Sequence, residues 1–204
     1  MICPMDLFAK MADHTSIDSW AVWELDDSGE LTGKQTFPTA NALEDVHGRA
    51  IIVALNPGGT ETGLANRPKW SNFHAPAGHN DIFLAHAFRG TPYWGAYMTD
   101  LHPSIWQSNS ALVRPESELV QLAVEDLIAK VNQLADVDTI VCIGGHCYRE
   151  VSRRAKLIES QTGISPESIL RITHYSGSAS GKHRNSASVY RELVHQELGL
   201  RASS

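Results

Sequence analysis

Apolar and polar positions follow no sustained period over the first 48 residues and become orderly from Arg49 onward. Residues 50–55, Ala-Ile-Ile-Val-Ala-Leu, are apolar without alternation, the pattern of a central parallel strand covered on both faces. Residues 96–101, 139–143 and 169–173 predict three further strands. Between and after them the pattern predicts helices over 80–88, 115–135 and 187–198, together with a basic helix after residue 146 that carries Arg149, Arg153, Arg154 and Lys156. In the 115–135 helix Leu119, Leu122, Ala123, Leu127, Val131 and Leu134 recur at helical spacing and are assigned to the core. In the closing helix Val189, Leu193 and Val194 are assigned inward, with Gly199 past its end. Strands alternating with helices predict an α/β fold: a three-layer α/β/α sandwich with a central, mostly parallel four-stranded sheet and right-handed crossovers.

The first 48 residues are read as an N-terminal extension packed on a single domain spanning 1–204. Residues 4–12 predict a short helix with Leu7, Phe8 and Met11 on one side. Residues 20–26 alternate as a strand would, and Asp26-Asp27-Ser28-Gly29 supplies turn chemistry for a hairpin. A further short helix over 39–46 would start from a Thr39 cap.

Composition adds bounds. With 204 residues, 42% of them hydrophobic and 20% charged, the chain suits one soluble globular domain. No apolar run approaches the roughly 20 residues of a membrane span, and the N-terminus has no basic segment leading into an apolar one, so a cytoplasmic protein is expected. Cys3, Cys142 and Cys147 are expected as reduced thiols, and Cys142 and Cys147 with His146 fit no zinc spacing. The net charge of −6 counts against nucleic acid, but it is uneven. Residues 144–204 hold 9 Lys and Arg against 5 Asp and Glu, whereas residues 1–143 hold 8 against 18. The second part either presents a local basic face or carries a solvated excess.

Two strand ends carry the candidate chemistry. The strand over 50–55 runs into Asn56-Pro57-Gly58-Gly59, and the strand over 169–173 into His174-Tyr175-Ser176-Gly177-Ser178. Ligands of open parallel sheets bind where strands end, so an amide and an imidazole could face one pocket there. Taken alone, Asn-Pro-Gly is equally a turn. The long loop after it, with Arg67, Lys69, Trp70 and Phe73, is of a length more often functional than structural. Trp70 and Phe73 also suit the core, and His146 suits a helix start.

In order and spacing, Leu55-Asn56-Pro57-Gly58, Thr62-Gly63, Phe73 ahead of Pro76 and Asn80, and His174-Tyr175-Ser176-Gly177-Ser178 resemble the uracil-DNA glycosylase superfamily, its mismatch-specific and single-strand-selective branches above all. The likeness covers about residues 49–198. It implies a metal-independent, cofactor-free, monomeric DNA glycosylase that hydrolyses the N-glycosidic bond of a deaminated or damaged base in DNA. By the same resemblance, Asn56 and His174 would be catalytic: Asn56 would hold the attacking water, and His174 would donate to the oxygen of the leaving base, assisted by backbone N–H groups near Gly58 and Gly59. Pro57, Gly58, Phe73 and Asp100 would contact the base. Gly59, Ser176, Gly177, Ser178, Lys182 and Arg184 would meet phosphates of the strand. Tyr175 stands where the family has proline, and the loop 177–181 has no bulky apolar wedge. Asp100 stands where many relatives place Asn, and a carboxylate accepts only, which suits amino or ring N–H groups of a base. A non-catalytic nucleotide- or DNA-binding module of this fold and a hydrolase of free nucleosides or nucleotides are the alternatives.

Overall fold

The computed structural model describes residues 4–32, 44–58, 68–74 and 80–200. Its strands are β1 (Ser19–Trp20), β2 (Ala50–Ala54), β3 (Tyr97–Asp100), β4 (Thr139–Ile143) and β5 (Ile169–Ile172). They form one sheet in the order β1-β3-β2-β4-β5. Strands β2 to β5 are mutually parallel, with Val53 level with Thr99 on one side and Cys142 on the other. Strand β1 runs antiparallel to β3, Trp20 facing Tyr97.

The sheet is therefore mostly parallel, as expected, but five-stranded and mixed, not four-stranded. The fifth strand comes from the N-terminal segment, whose burial pattern shows why its role was misjudged. Trp20, Ala21, Val22 and Trp23 are all buried, so the apparent alternation does not separate a core face from a solvent face. Only two residues pair with β3, and they cover its otherwise open edge. The Trp20 ring meets Tyr97 edge-on, with 4.8 Å between centroids. The expected hairpin shrinks to one bridge between Leu25 and Leu31. Its turn closes as the Asp26-Ser28-Gly29 chemistry predicts, Asp26 Oδ1 accepting from the backbone N–H groups of Ser28 and Glu30 at 2.9 Å each.

Among the described residues the helices are α1 (Pro4–Lys10), α2 (Ile82–Phe88), α3 (Ser117–Leu134), α4 (Gly145–Ser152), α5 (Ala155–Thr162), α6 (Ser180–His183) and α7 (Ala187–Glu197). They cover both faces of the sheet. Ile51 and Val53 point into a cluster with Leu7, Met11, Leu127, Val131, Cys147 and Val151. Their neighbours Ile52 and Ala54 point into a second cluster with Leu84, Phe88, Tyr190 and Val194. The period of two along an all-apolar strand thus serves two cores. Leu7, Met11 and Trp20 lie in the first of them, so the N-terminal segment completes a core shared with the sheet. The helix expected over 39–46 falls mostly outside the described residues, Thr39 included.

Helix α3 turns a different stripe inward from the one assigned. Leu119 and Leu122 are exposed at 51% and 55%, while Val120, Val124, Leu127, Ile128, Val131 and Leu134 are buried. Both stripes have helical spacing and share Leu127, Val131 and Leu134, but the inward one adds Val120, Val124 and Ile128, together with one polar residue. Lys130, buried on the inward face, places Nζ 3.1 Å from Asp18 Oδ2 and 2.9 Å from Thr99 Oγ1. Asp18 also accepts from Tyr97 Oη at 2.6 Å. In α7 the fully buried side chains are Tyr190 and Val194, flanked by half-buried Val189 and Leu193. The basic helix is in fact two, broken at Arg153 and Arg154. No helix among the described residues is long and apolar enough to cross a membrane.

Candidate functional site

The parallel strands release their carboxyl ends on one side of the sheet, and the chain leaving β3 covers the end of β2. Its Leu101 and His102 N–H groups donate to Ala54 and Leu55 carbonyls at 2.8 and 2.9 Å, which carries residues 105–107 over Asn56. There Asn56 Nδ2 donates to the carbonyls of Pro57, Ile105 and Gln107 at 3.0, 2.9 and 2.8 Å. Three acceptors around one nitrogen fix which end of the amide is which. Oδ1 accepts no hydrogen bond from any described residue.

His174 is held from the other side. The preceding Thr173 is clamped by Glu197, whose carboxylate accepts from its backbone N–H at 2.6 Å and its hydroxyl at 2.7 Å. Tyr190 Oη donates to the Thr173 carbonyl at 2.8 Å. Beyond the histidine, the Ser176 N–H donates to His174 Nδ1 at 3.0 Å, and His183 Nε2 donates to the Ser176 carbonyl at 3.0 Å. Burial pushes His174 down to about 4, with His183 adding to the shift. The ring is therefore neutral at pH 7. Because Nδ1 accepts, its one proton sits on Nε2, which has no partner among the described residues. Tyr175 stacks on the imidazole, with 4.7 Å between centroids at 24°. Gly144 at the end of β4 has φ 86°, and a Cβ there would lie 3.4 Å from His174 Cδ2. A side chain at residue 144 would strain the backbone and crowd the ring.

Asn56 and His174 line one cavity of about 150 Å³. Gly58 and Ser176 are part of the same wall, as are Gly144, Gly145 and His146 from the end of β4. Cys147 also borders it, but its thiol donates to the Val53 carbonyl at 3.3 Å and burial pushes its pKa up. It is thus a neutral wall element, far from the thiolate a nucleophile needs. Among the described residues no group of three or more His, Cys, Asp or Glu could hold a metal ion.

The remaining predicted residues divide. Pro57 is buried beside Asn56 and contributes its carbonyl. Gly177 opens a short 3₁₀ turn, Gly177–Ala179, that contains Ser178, and Lys182 and Arg184 are exposed just beyond it. Gly59 lies outside the described residues. Phe73 and Asp100 do not line the cavity. Phe73 is packed in the second core cluster with φ 63°, in a turn held by Asn72, whose Oδ1 accepts the Phe73 N–H at 3.1 Å. Asp100 is buried at the end of β3, Oδ2 accepting from Asn72 Nδ2 at 2.8 Å and Oδ1 without a partner among the described residues. Burial pushes this carboxyl up to about 7. Trp70, likewise buried, sits in the first cluster against Phe8.

Sequence reasoning missed the third wall. Gln107, Ser108 and Ser110 line the cavity from the segment after β3. The signal available was a polar run without apolar period shortly after a strand end, where binding loops concentrate. The Gly144-Gly145 strand end was legible, but its approach to an imidazole from another strand was not.

No protein-family model matches the chain, and no curated protein matches it at a significant level.

Proposed function

We propose that the chain is an N-glycosyl hydrolase acting on a damaged base of DNA, its α/β/α layers arranged as in the uracil-DNA glycosylase superfamily. The observation that carries this reading is that Asn56 and His174 line one cavity, the first with an acceptor, Oδ1, and the second with a neutral donor, Nε2–H, that no described residue engages. Cleavage of an N-glycosidic bond calls for that pair. The C1′–N bond breaks with its electrons passing to the base, and the oxygen of the departing anion accepts from His174 Nε2–H. Water oriented by Asn56 Oδ1 adds to the electron-poor C1′. An amide does not take a proton at neutral pH, so the water loses its proton to solvent once the new C–O bond has formed. Turnover is accordingly slower than with a carboxylate base. Lys182 and Arg184, exposed beside the His174 loop, would position the flanking phosphates without reading sequence.

The test is direct. The protein is incubated with labelled oligonucleotides containing uracil, hypoxanthine or xanthine, single-stranded or mismatched, and abasic sites are then cleaved with alkali. Product is expected from at least one substrate, and its formation is expected to be several hundredfold slower in His174→Ala. No product from any of them at stoichiometric protein overturns the reading. One observation favours a binding module instead: Phe73, which would stack on the base, is packed in the core. Affinity for abasic or single-stranded DNA that is unchanged in His174→Ala, with no base release, would establish that second reading.

A further inference from the structure

Beside the candidate cavity lies a second, more open cleft of about 290 Å³. Arg149 and Arg153 line it from one turn of α4 and the residue that ends the helix. Arg114 lines it from the segment ahead of α3. His146 belongs to both cavities and forms the partition between them. Among the described residues the only carboxylate in the lining is Glu150, and it is engaged by His102, Nε2 to Oε2 being 2.6 Å. Arg114, Arg149 and Arg153 form no ion pair with a described residue. Arg114 Nη1 donates to the Val113 carbonyl at 2.9 Å, whereas Arg89 pairs with Glu30 at 2.8 Å and Arg154, next to Arg153 in sequence, turns to Gln121.

Arg114, Arg149 and Arg153 are exposed along one open cleft, and like charges that line a common surface with their one neighbouring carboxylate engaged favour the entry of an anion. Their planar donor forks match phosphate oxygens. We infer that the Arg114–Arg149–Arg153 cleft binds a phosphate group of the molecule whose base enters the neighbouring cavity. The identity of that molecule rests on the hydrolase reading above; the occupancy of the cleft by phosphate does not. The bound group is either a backbone phosphodiester or the phosphate of a free nucleotide.

Binding is measured by fluorescence anisotropy of labelled single-stranded oligothymidylate over a salt series, with inorganic phosphate and thymidine monophosphate as competitors. Each arginine removed is expected to weaken binding about tenfold, as loss of one charge-assisted contact does. The magnitude of the slope of log K against log salt is expected to fall by about 0.7 per contact. Arg149→Gln/Arg153→Gln and Arg114→Gln report on the cleft, and Lys156→Gln, exposed on α5, is the control expected to bind as wild type. Circular dichroism establishes that each variant is folded. Competition by thymidine monophosphate at stoichiometric levels assigns the site to a nucleotide, and displacement by unlabelled strand alone assigns it to a phosphodiester; either supports the cleft. Wild-type affinity and salt slope in the folded arginine variants overturn it, as does failure of the wild-type protein to bind any of these probes. Base release is scored separately, so a chain that binds through the cleft without turnover loses the hydrolase reading and keeps this one.

Discussion

The Ser176 backbone N–H donates to His174 Nδ1 at 3.0 Å. A main-chain donor cannot change its polarity with pH, so this bond commits the imidazole to one tautomer and leaves the proton on Nε2, in a residue that lines the cavity. Glu197, Tyr190 and His183 hold the backbone on either side of the ring, so the donor is positioned before any ligand arrives.

The tautomer is directly observable. In ¹⁵N-resolved spectra of the imidazole, His174 Nδ1 is expected to be unprotonated and Nε2 protonated from pH 5 to 8, consistent with a value of about 4. A transition near 6.5, the unperturbed histidine value, would refute the arrangement. Removal of the donor in His174→Ala is expected to slow base release by about 3 to 4 kcal/mol of barrier, several hundredfold, as loss of one preorganised donor does.

Asn56→Asp places a carboxylate oxygen where Nδ2 now meets the carbonyls of Pro57, Ile105 and Gln107. Those acceptors lose their donor and face a negative charge. Such a loss costs roughly 1–3 kcal/mol, and the variant is expected to unfold at lower urea concentration than wild type. An unchanged midpoint would show that the amide does not anchor residues 105–107.

Lys130 and Asp18 are buried and 3.1 Å apart. Lys130→Met leaves the Asp18 charge with the hydroxyls of Tyr97 and Thr99 and with His14, whose Nδ1 is 3.9 Å away, and is expected to cost about 3–5 kcal/mol. Adding Asp18→Asn is expected to recover part of that loss in urea denaturation. A double variant as unstable as the single one would contradict the pairing.

Asp100 gives stability a pH dependence of unusual sign. Its folded value of about 7 lies above the unfolded value near 4, so in that window the folded state binds more protons. Stability therefore falls as pH rises through it, by roughly 1.4 kcal/mol per unit, on the order of 4 kcal/mol in all. His74 and His174, lowered to about 4, act oppositely, adding stability as pH rises from 4 to 6.5. Asp100→Asn removes the first contribution alone. Urea midpoints of wild type should drop relative to this variant between pH 4 and 7, and parallel curves would exclude the shift.

Much of the fold was legible because backbone geometry imposes short periods. The all-apolar stretch 50–55 could only be a strand covered twice, and β2 sends alternate residues into two cores. The turn at Asp26 followed from side-chain chemistry that acts over a few residues. Burial around Trp20–Trp23 was misjudged because a short edge strand with both sides covered carries no readable alternation. The face of α3 was misjudged for a related reason: two stripes of helical spacing overlapped, and the buried one also carries Lys130, whose partner Asp18 lies far along the chain.

At the site the same division holds. The sequence was sufficient to show that an amide and an imidazole follow the ends of two strands, because strand termination and turn chemistry are local properties of a few residues. Only the tertiary structure decided that both line one cavity, that residues 105–107 orient Asn56, that Ser176 fixes the tautomer of His174, and that Phe73 and Asp100 pack elsewhere. Those outcomes depend on strand order and on hydrogen bonds between segments distant in sequence, whose geometry no period along the chain records.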